Sequence, residues 1–235
     1  MEITILDDIS FDPDVKGLLQ KLHVKSGHPM AAEVERLLAE ALELARPKAM
    51  VGLAAVEEKG EDWVVIEGVR LESRVLRVNL DQAHRVFAYV ATCGMEMQRW
   101  GEGLSDMLHS YWADEIKALA LSAAVRTLTA HLVECYRPGR TATMAPGSLT
   151  DWPIQQQKPL FQILGDPTTA VGVELTDSYL MIPNKSVSGL RFSTEEPFES
   201  CLLCPRDACP GRRAPYDPDL YDRKYRQPEP SGEKV

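Results

Sequence analysis

LSDMLHSYWADEIKALALSAAVRTLTAHLVECY, residues 104–136, carries apolar side chains on two sides of one helix. Trp112, Ile116, Leu119 and Ala123 recur at three- and four-residue spacing on one face, and Leu121, Val125, Leu128 and Leu132 on another. A helix apolar over so much of its circumference has to be covered on several sides. The spacing therefore predicts a central helix from about Leu104 to Tyr136, ended by Pro138-Gly139.

Outward from it, the N-terminal half changes period twice. Residues 3–7 open a strand, and Asp12-Pro13 starts a short helix ending near Lys21. A second helix follows Pro29, with Val34, Leu37, Leu38, Ala41, Leu42 and Ala45 on one face, and stops before Pro47. From 49 to 93, apolar runs at 50–56, 63–66, 74–80 and 86–92 are separated by Gly60-Glu-Asp, Gly68 and Asp81-Gln, which predicts strands and a small helix in mixed order.

Beyond the central helix the expected elements are a strand at 140–144, a helix from Gln155 to Leu164, and strands at 178–182 and 187–193 joined by Pro183-Asn-Lys-Ser186. Residues 210–235 are rich in proline and charge and nearly free of aliphatic side chains, the composition of an extended or disordered tail. The organisation expected is a folded unit over 1–198, a cysteine-rich segment over 199–211 and a polar tail over 212–235.

The 235 residues, 44% hydrophobic, suffice for a real core. Thirty-five acidic against 26 basic residues leave a net charge of −9, a surface that repels nucleic acid and anionic lipid and favours a basic partner. No window reaches the roughly 18 uninterrupted apolar residues of a membrane span, and Met1-Glu-Ile-Thr-Ile-Leu-Asp-Asp lacks the basic and apolar regions of a leader. A cytoplasmic protein is expected, in a reducing compartment where structural disulfides are rare.

Three of the five cysteines fall within nine positions, Cys201-Leu-Leu-Cys204-Pro-Arg-Asp-Ala-Cys209-Pro. Thiolates at C-x2-C spacing suit one soft metal ion or cluster corner, so an iron-sulfur cluster or zinc is expected at Cys201, Cys204 and Cys209. The fourth ligand is left open between Cys93, Cys135, a partner protein and an exogenous molecule. Three exposed thiols on a tail is the alternative.

Two further stretches stand out: residues 143–153, TMAPGSLTDWP, and residues 175–189, LTDSYLMIPNKSVSG. Together they resemble the activation domain of cobalamin-dependent methionine synthase, whose signature is an A-P-G-Y-like loop, a helix, and then an L-T-E-S, spacer, proline, S-V-S-G run. The resemblance covers roughly residues 80–195. It implies an α+β fold, a single mixed domain with a twisted antiparallel sheet and a long central helix.

The resemblance also implies a function: reactivation of a cobalamin-dependent methyltransferase, in which S-adenosylmethionine held by the loop faces a corrinoid presented by the partner, so that reduced cob(II)alamin is remethylated. Chemistry of that kind belongs to the cofactor, so the chain is an accessory rather than a bearer of catalytic side chains. The binding positions implied are Arg140, Thr143, Ala145, Pro146, Gly147, Ser148, Tyr179, Ser186 and Ser188. The partners implied are a cobalamin-binding methyltransferase or corrinoid protein and an electron donor protein, with no nucleic acid and no membrane.

The chain departs from the family pattern at three points. Thr143 stands where the family carries an arginine suited to the ligand carboxylate, with Arg140 the nearest substitute. Ser148 replaces the aromatic after the loop glycine, and Val125 lies where the family places an acidic group. A non-enzymatic docking module ordered by zinc is the rival reading. His84, His109 and His131 lack the spacing of a shared metal site, and Trp100, Trp112, Met95 and Met97 read as packing.

Overall fold

The computed structural model describes residues 1–226. Strand β1 (Ile3–Leu6) leads to helices α1 (Val15–Lys21) and α2 (Pro29–Leu44), strands β2 (Lys48–Lys59), β3 (Trp63–Ile66) and β4 (Val69–Glu72), helix α3 (Arg74–Asn79) and strand β5 (Arg85–Thr92). Helices α4 (Met95–Glu102) and α5 (Met107–Tyr136) follow, then β6 (Thr141–Met144), α6 (Gln157–Leu164), α7 (Pro167–Val171), the short strands β7 (Glu174–Leu175) and β8 (Met181–Ile182), and β9 (Ser186–Ser193). The main sheet runs β4-β3-β2-β5-β9-β6 with β1 also on β2, all antiparallel.

The expected α+β class, antiparallel sheet and long helix are all present. The helix begins three residues later than its apolar pattern suggests, because the Asp106 carboxylate accepts from the Leu108 and His109 amides at 2.9 Å each and caps it there. Asp14 rather than Asp12 caps α1, accepting from the Lys16 amide. Strand β4 and helices α4 and α7 carry no apolar pattern long enough to be read from sequence.

Period two governs how the sheet is covered. In β5, Val86, Ala88 and Val90 point into one core with α3, α6 and α7, while Phe87, Tyr89 and Ala91 point into another beneath α5. Both faces are buried, so the strand reads as a continuous apolar run. Helix α5 divides its partners by length: Trp112, Ile116 and Ala120 pack among α1, α2 and α4, and Ala123, Ala124, Leu128 and Leu132 pack on the sheet. It is long and apolar enough to cross a membrane by composition alone, and those packed faces account for that character.

Within the expected polar tail, the described part over 212–226 is anchored to the body at Tyr225. Tyr225 is 0% exposed, its hydroxyl donates to Asn79 Oδ1 at 3.0 Å, its ring meets Phe198 edge-on, and Arg74 Nε donates to its carbonyl at 2.9 Å. Leu220 packs on the same core and the Tyr221 ring lies 6.1 Å from that of Tyr225, so a small apolar cluster docks the segment under α3 by removing its area from water. The rest of the expected tail, residues 227–235, lies outside the described residues.

Gly189 has a steric reason. A Cβ there would stand 2.4 Å from the Met144 carbonyl oxygen on the neighbouring strand and 3.3 Å from the Tyr89 hydroxyl. Gly189→Ala is therefore expected to cost about 1–3 kcal/mol by prying β6 from β9. Urea denaturation checks this, and an unchanged midpoint would mean the strands tolerate the methyl.

Candidate functional site

The loop after β6 is built by local chemistry. Pro146 and Gly147 occupy the central positions of a turn closed by the Ser148 amide donating to the Ala145 carbonyl at 3.2 Å, and Gly147 has φ +81°. Proline second and a positive-φ glycine third is the signature of a type II turn. The Ser148 hydroxyl adds a second bond to the Ala145 carbonyl at 2.6 Å. The Gly147 amide donates to the Trp152 carbonyl at 2.7 Å, and Leu149 and Trp152 form an isolated bridge, so the loop folds back on itself.

Asp151 anchors this loop to the body. Its Oδ2 accepts from the Ser73 hydroxyl and, at 3.0 Å, from the Val75 amide at the start of α3. Trp152 is fully buried, with its indole Nε1 unpartnered among the described residues. On its outer side the turn borders a cavity of about 410 Å³ whose walls include Gly147, Ser148, Ile154, Leu203 and Cys204.

Thr143, two residues before the turn, is paired in register with Arg191 of β9, and Arg191 with Phe87 of β5. Directly opposed residues of antiparallel strands share a face. A guanidinium thus stands beside the position where arginine is missing. Arg191 donates from Nη1 to Thr129 Oγ1 of α5 at 2.9 Å, and its carbon Cζ lies 6.0 Å from the centre of the Tyr89 ring. Its Nε is buried and unpartnered among the described residues. Burial pushes the Tyr89 hydroxyl up, with the Arg191 charge opposing the shift.

Arg191 was missed in the sequence reading. Its one signal is a lone charge in the apolar strand Val187-Ser-Gly-Leu-Arg191-Phe. Arg140, the substitute expected from sequence, is turned elsewhere: its Nη1 donates to the Glu195 carbonyl at 2.9 Å, and it borders a cavity of about 750 Å³ with Asn79, Ser193, Glu196 and Lys224.

The structure brings Thr143, Ala145, Pro146, Gly147 and Ser148 together and leaves the other expected positions apart. Ser186 donates to Thr92 Oγ1 at 2.8 Å and Ser188 to Gln157 Oε1 at 2.7 Å, both buried. Alternation along β9 puts these hydroxyls on the side of Leu190 and Phe192, opposite to Arg191. Tyr179, with φ +64°, lies in the turn between β7 and β8 and borders neither cavity.

The expected metal centre is not formed. Among the described residues no group of three or more histidine, cysteine or carboxylate side chains is arranged to hold a metal ion, and Cys201, Cys204 and Cys209 are free. Arg212 ties this loop together instead. Its guanidinium donates to the carbonyls of Cys201, Ala214 and Cys204 at 3.1 Å each, and also to that of Arg206, so a cation organises the loop through backbone oxygens.

Of the four sources left open for a fourth ligand, the two in this chain, Cys93 and Cys135, form no ligand group with the loop among the described residues. Cys93 is fully buried at the end of β5, its thiol pushed up to about 11 chiefly by burial. Cys135 is exposed near the end of α5, with its sulfur 3.7 Å from His131 Nδ1. The donor set present fits neither an iron-sulfur cluster nor zinc.

Residues 97–199 match the family model described as vitamin B12 dependent methionine synthase, activation domain. The span contains both the turn and β9. In fold the chain is similar to the crystal structure of the MetH reactivation domain bound to AdoHcy, with a TM-score of 0.59 and 14% identity, over 85% of this chain and 81% of that one. No curated protein matches the chain. The resemblance read from the two motifs is therefore present in a family match over 97–199 and in the fold over most of the chain.

Proposed function

We propose that this chain, similar to the activation domain of cobalamin-dependent methionine synthase, returns an inactive cobalamin-dependent methyltransferase to its cycle by supporting reductive remethylation of cob(II)alamin. The observation that carries the reading is the type II turn of residues 145–148 standing next to the in-register pair Thr143 and Arg191, within the span that matches the family. S-adenosylmethionine is the methyl donor in this reading. When bound it supplies an electrophilic methyl group on a sulfonium.

The residues present fit that ligand. Arg191 carries the cation that suits a ligand carboxylate, in the row of Thr143 and held by Thr129 and Tyr89. Exposed Gly147 has no side chain to hold a ligand away from the backbone of the turn. The chain's own work is to hold and orient the donor, and to present it to a corrinoid carried by the partner, so no nucleophile or general base is required. The partner class is a cobalamin-binding methyltransferase, met in the cytoplasm, with an external electron donor. No step in this reading runs through an iron-sulfur cluster or zinc, since no ligand group is assembled among the described residues.

Two measurements test the proposal. Calorimetry with S-adenosylhomocysteine and S-adenosylmethionine should show saturable binding at one site. In the second, a methyltransferase poised as cob(II)alamin with a chemical reductant is mixed with the chain and S-adenosylmethionine. Its absorption should convert to that of the methylated cofactor. Conversion no faster than without the chain would overturn the reading.

A further inference from the structure

The cysteine segment that fails as a metal site has the geometry of another. Cys201 opens the turn of the 3-10 helix Ser200–Leu203, and the Cys204 amide donates to the Cys201 carbonyl at 3.3 Å. Turn ends closed in this way have Cα atoms within about 7 Å, which overlaps the window of about 4.4–6.8 Å for disulfides. Cys204 caps the helix with extended backbone, directly after the turn that carries Cys201. Cys209 belongs to a different turn, where its carbonyl accepts from the Arg212 amide at 3.1 Å.

Cys201 Sγ accepts from the Arg213 amide at 3.4 Å, a donor suited to a thiolate. Arg212 fixes the carbonyls of both Cys201 and Cys204, so the turn is organised before any bond joins the sulfurs. Both cysteines are half-buried rather than sealed, and Cys204 forms part of the wall of the 410 Å³ cavity next to Gly147.

We infer that Cys201 and Cys204 are a dithiol–disulfide redox pair, oxidised by exchange with a small-molecule disulfide such as oxidised glutathione. The Cys201 thiolate attacks one sulfur of the external disulfide, whose other half leaves as a thiolate. Cys204 loses its proton to solvent and attacks the Cys201 sulfur of the mixed disulfide, releasing the second half. Two protein thiols are oxidised to one S–S bond while one external disulfide is reduced to two thiols. This pair stands independently of the function proposed above.

The full chain, equilibrated over a series of reduced and oxidised glutathione mixtures, quenched in acid and alkylated after unfolding, gives the test by mass spectrometry. Of the five thiols, two should be lost together, with the bond mapped to Cys201 and Cys204. Cys209→Ser should leave that transition in place, and Cys204→Ser should instead accumulate glutathione on Cys201. The inference is overturned if both thiols stay free under excess oxidised glutathione, or if the bond maps to Cys209. It is also overturned if chain purified without oxygen holds stoichiometric iron or zinc that Cys201→Ser releases.

Discussion

Trp112→Ala should lower the stability of the chain by about 3–5 kcal/mol, the range for deleting a large buried aromatic. Trp112 is 1% exposed in the cluster formed by α1, α2, α4 and the first half of α5, with the His109 ring 5.5 Å away. The hole left behind has little means of closing. The same 30-residue helix is held on the sheet by Ala124, Leu128 and Leu132, so its first half cannot settle without lifting the second. Tyr111 provides the control. It lies next in sequence but is 51% exposed, and its replacement by alanine should fall within about 0.5 kcal/mol of neutral. Urea melts of both variants decide the matter, and equal midpoints would show that Trp112 is not the centre of the helical layer.

Arg191→Met should weaken binding of S-adenosylhomocysteine roughly ten- to a hundredfold, because a charge-assisted hydrogen bond contributes about 1.5–3 kcal/mol. Methionine keeps the apolar stem and removes the cation. Thr129→Val distinguishes binding from support: it removes the acceptor of Arg191 Nη1 but leaves the charge, so the loss should be smaller. Placing arginine at Thr143 alone would set two guanidiniums directly opposite each other, an unfavourable pair. The double change Thr143→Arg, Arg191→Thr should recover affinity that each single change loses. Calorimetry on the native chain and these variants, Arg191→Thr included, reads this out, with urea midpoints confirming that each is folded. Affinity unmoved by Arg191→Met would remove the arginine from the ligand site.

Much of the fold was legible because it is encoded at short range. The three- and four-residue spacing in α2 and α5, the stops at Pro47 and Pro138, and the Pro146-Gly147 turn each depend on neighbours within a few positions, where backbone sterics and capping act directly. The same range explains the errors of boundary. Asp106 and Asp14 capture the starts of their helices by hydrogen bonds that apolar periodicity does not register.

The sequence alone determined helices α1, α2, α5 and α6, the Pro146-Gly147 loop and the C-x2-C spacing, since all of these are properties of contiguous residues. Tertiary structure decided the rest. Thr143 and Arg191 share a row because strand register follows from which faces of the whole sheet are buried, and no local pattern states which residue will stand opposite which. Ser186 and Ser188 face the layer of α6 for the same reason. Arg212 ties the cysteine loop together, and Tyr225 docks the segment that carries it, through contacts between residues that no periodicity connects. Spacing says which side chains are neighbours along a turn, and only the packed chain says what occupies the space between them.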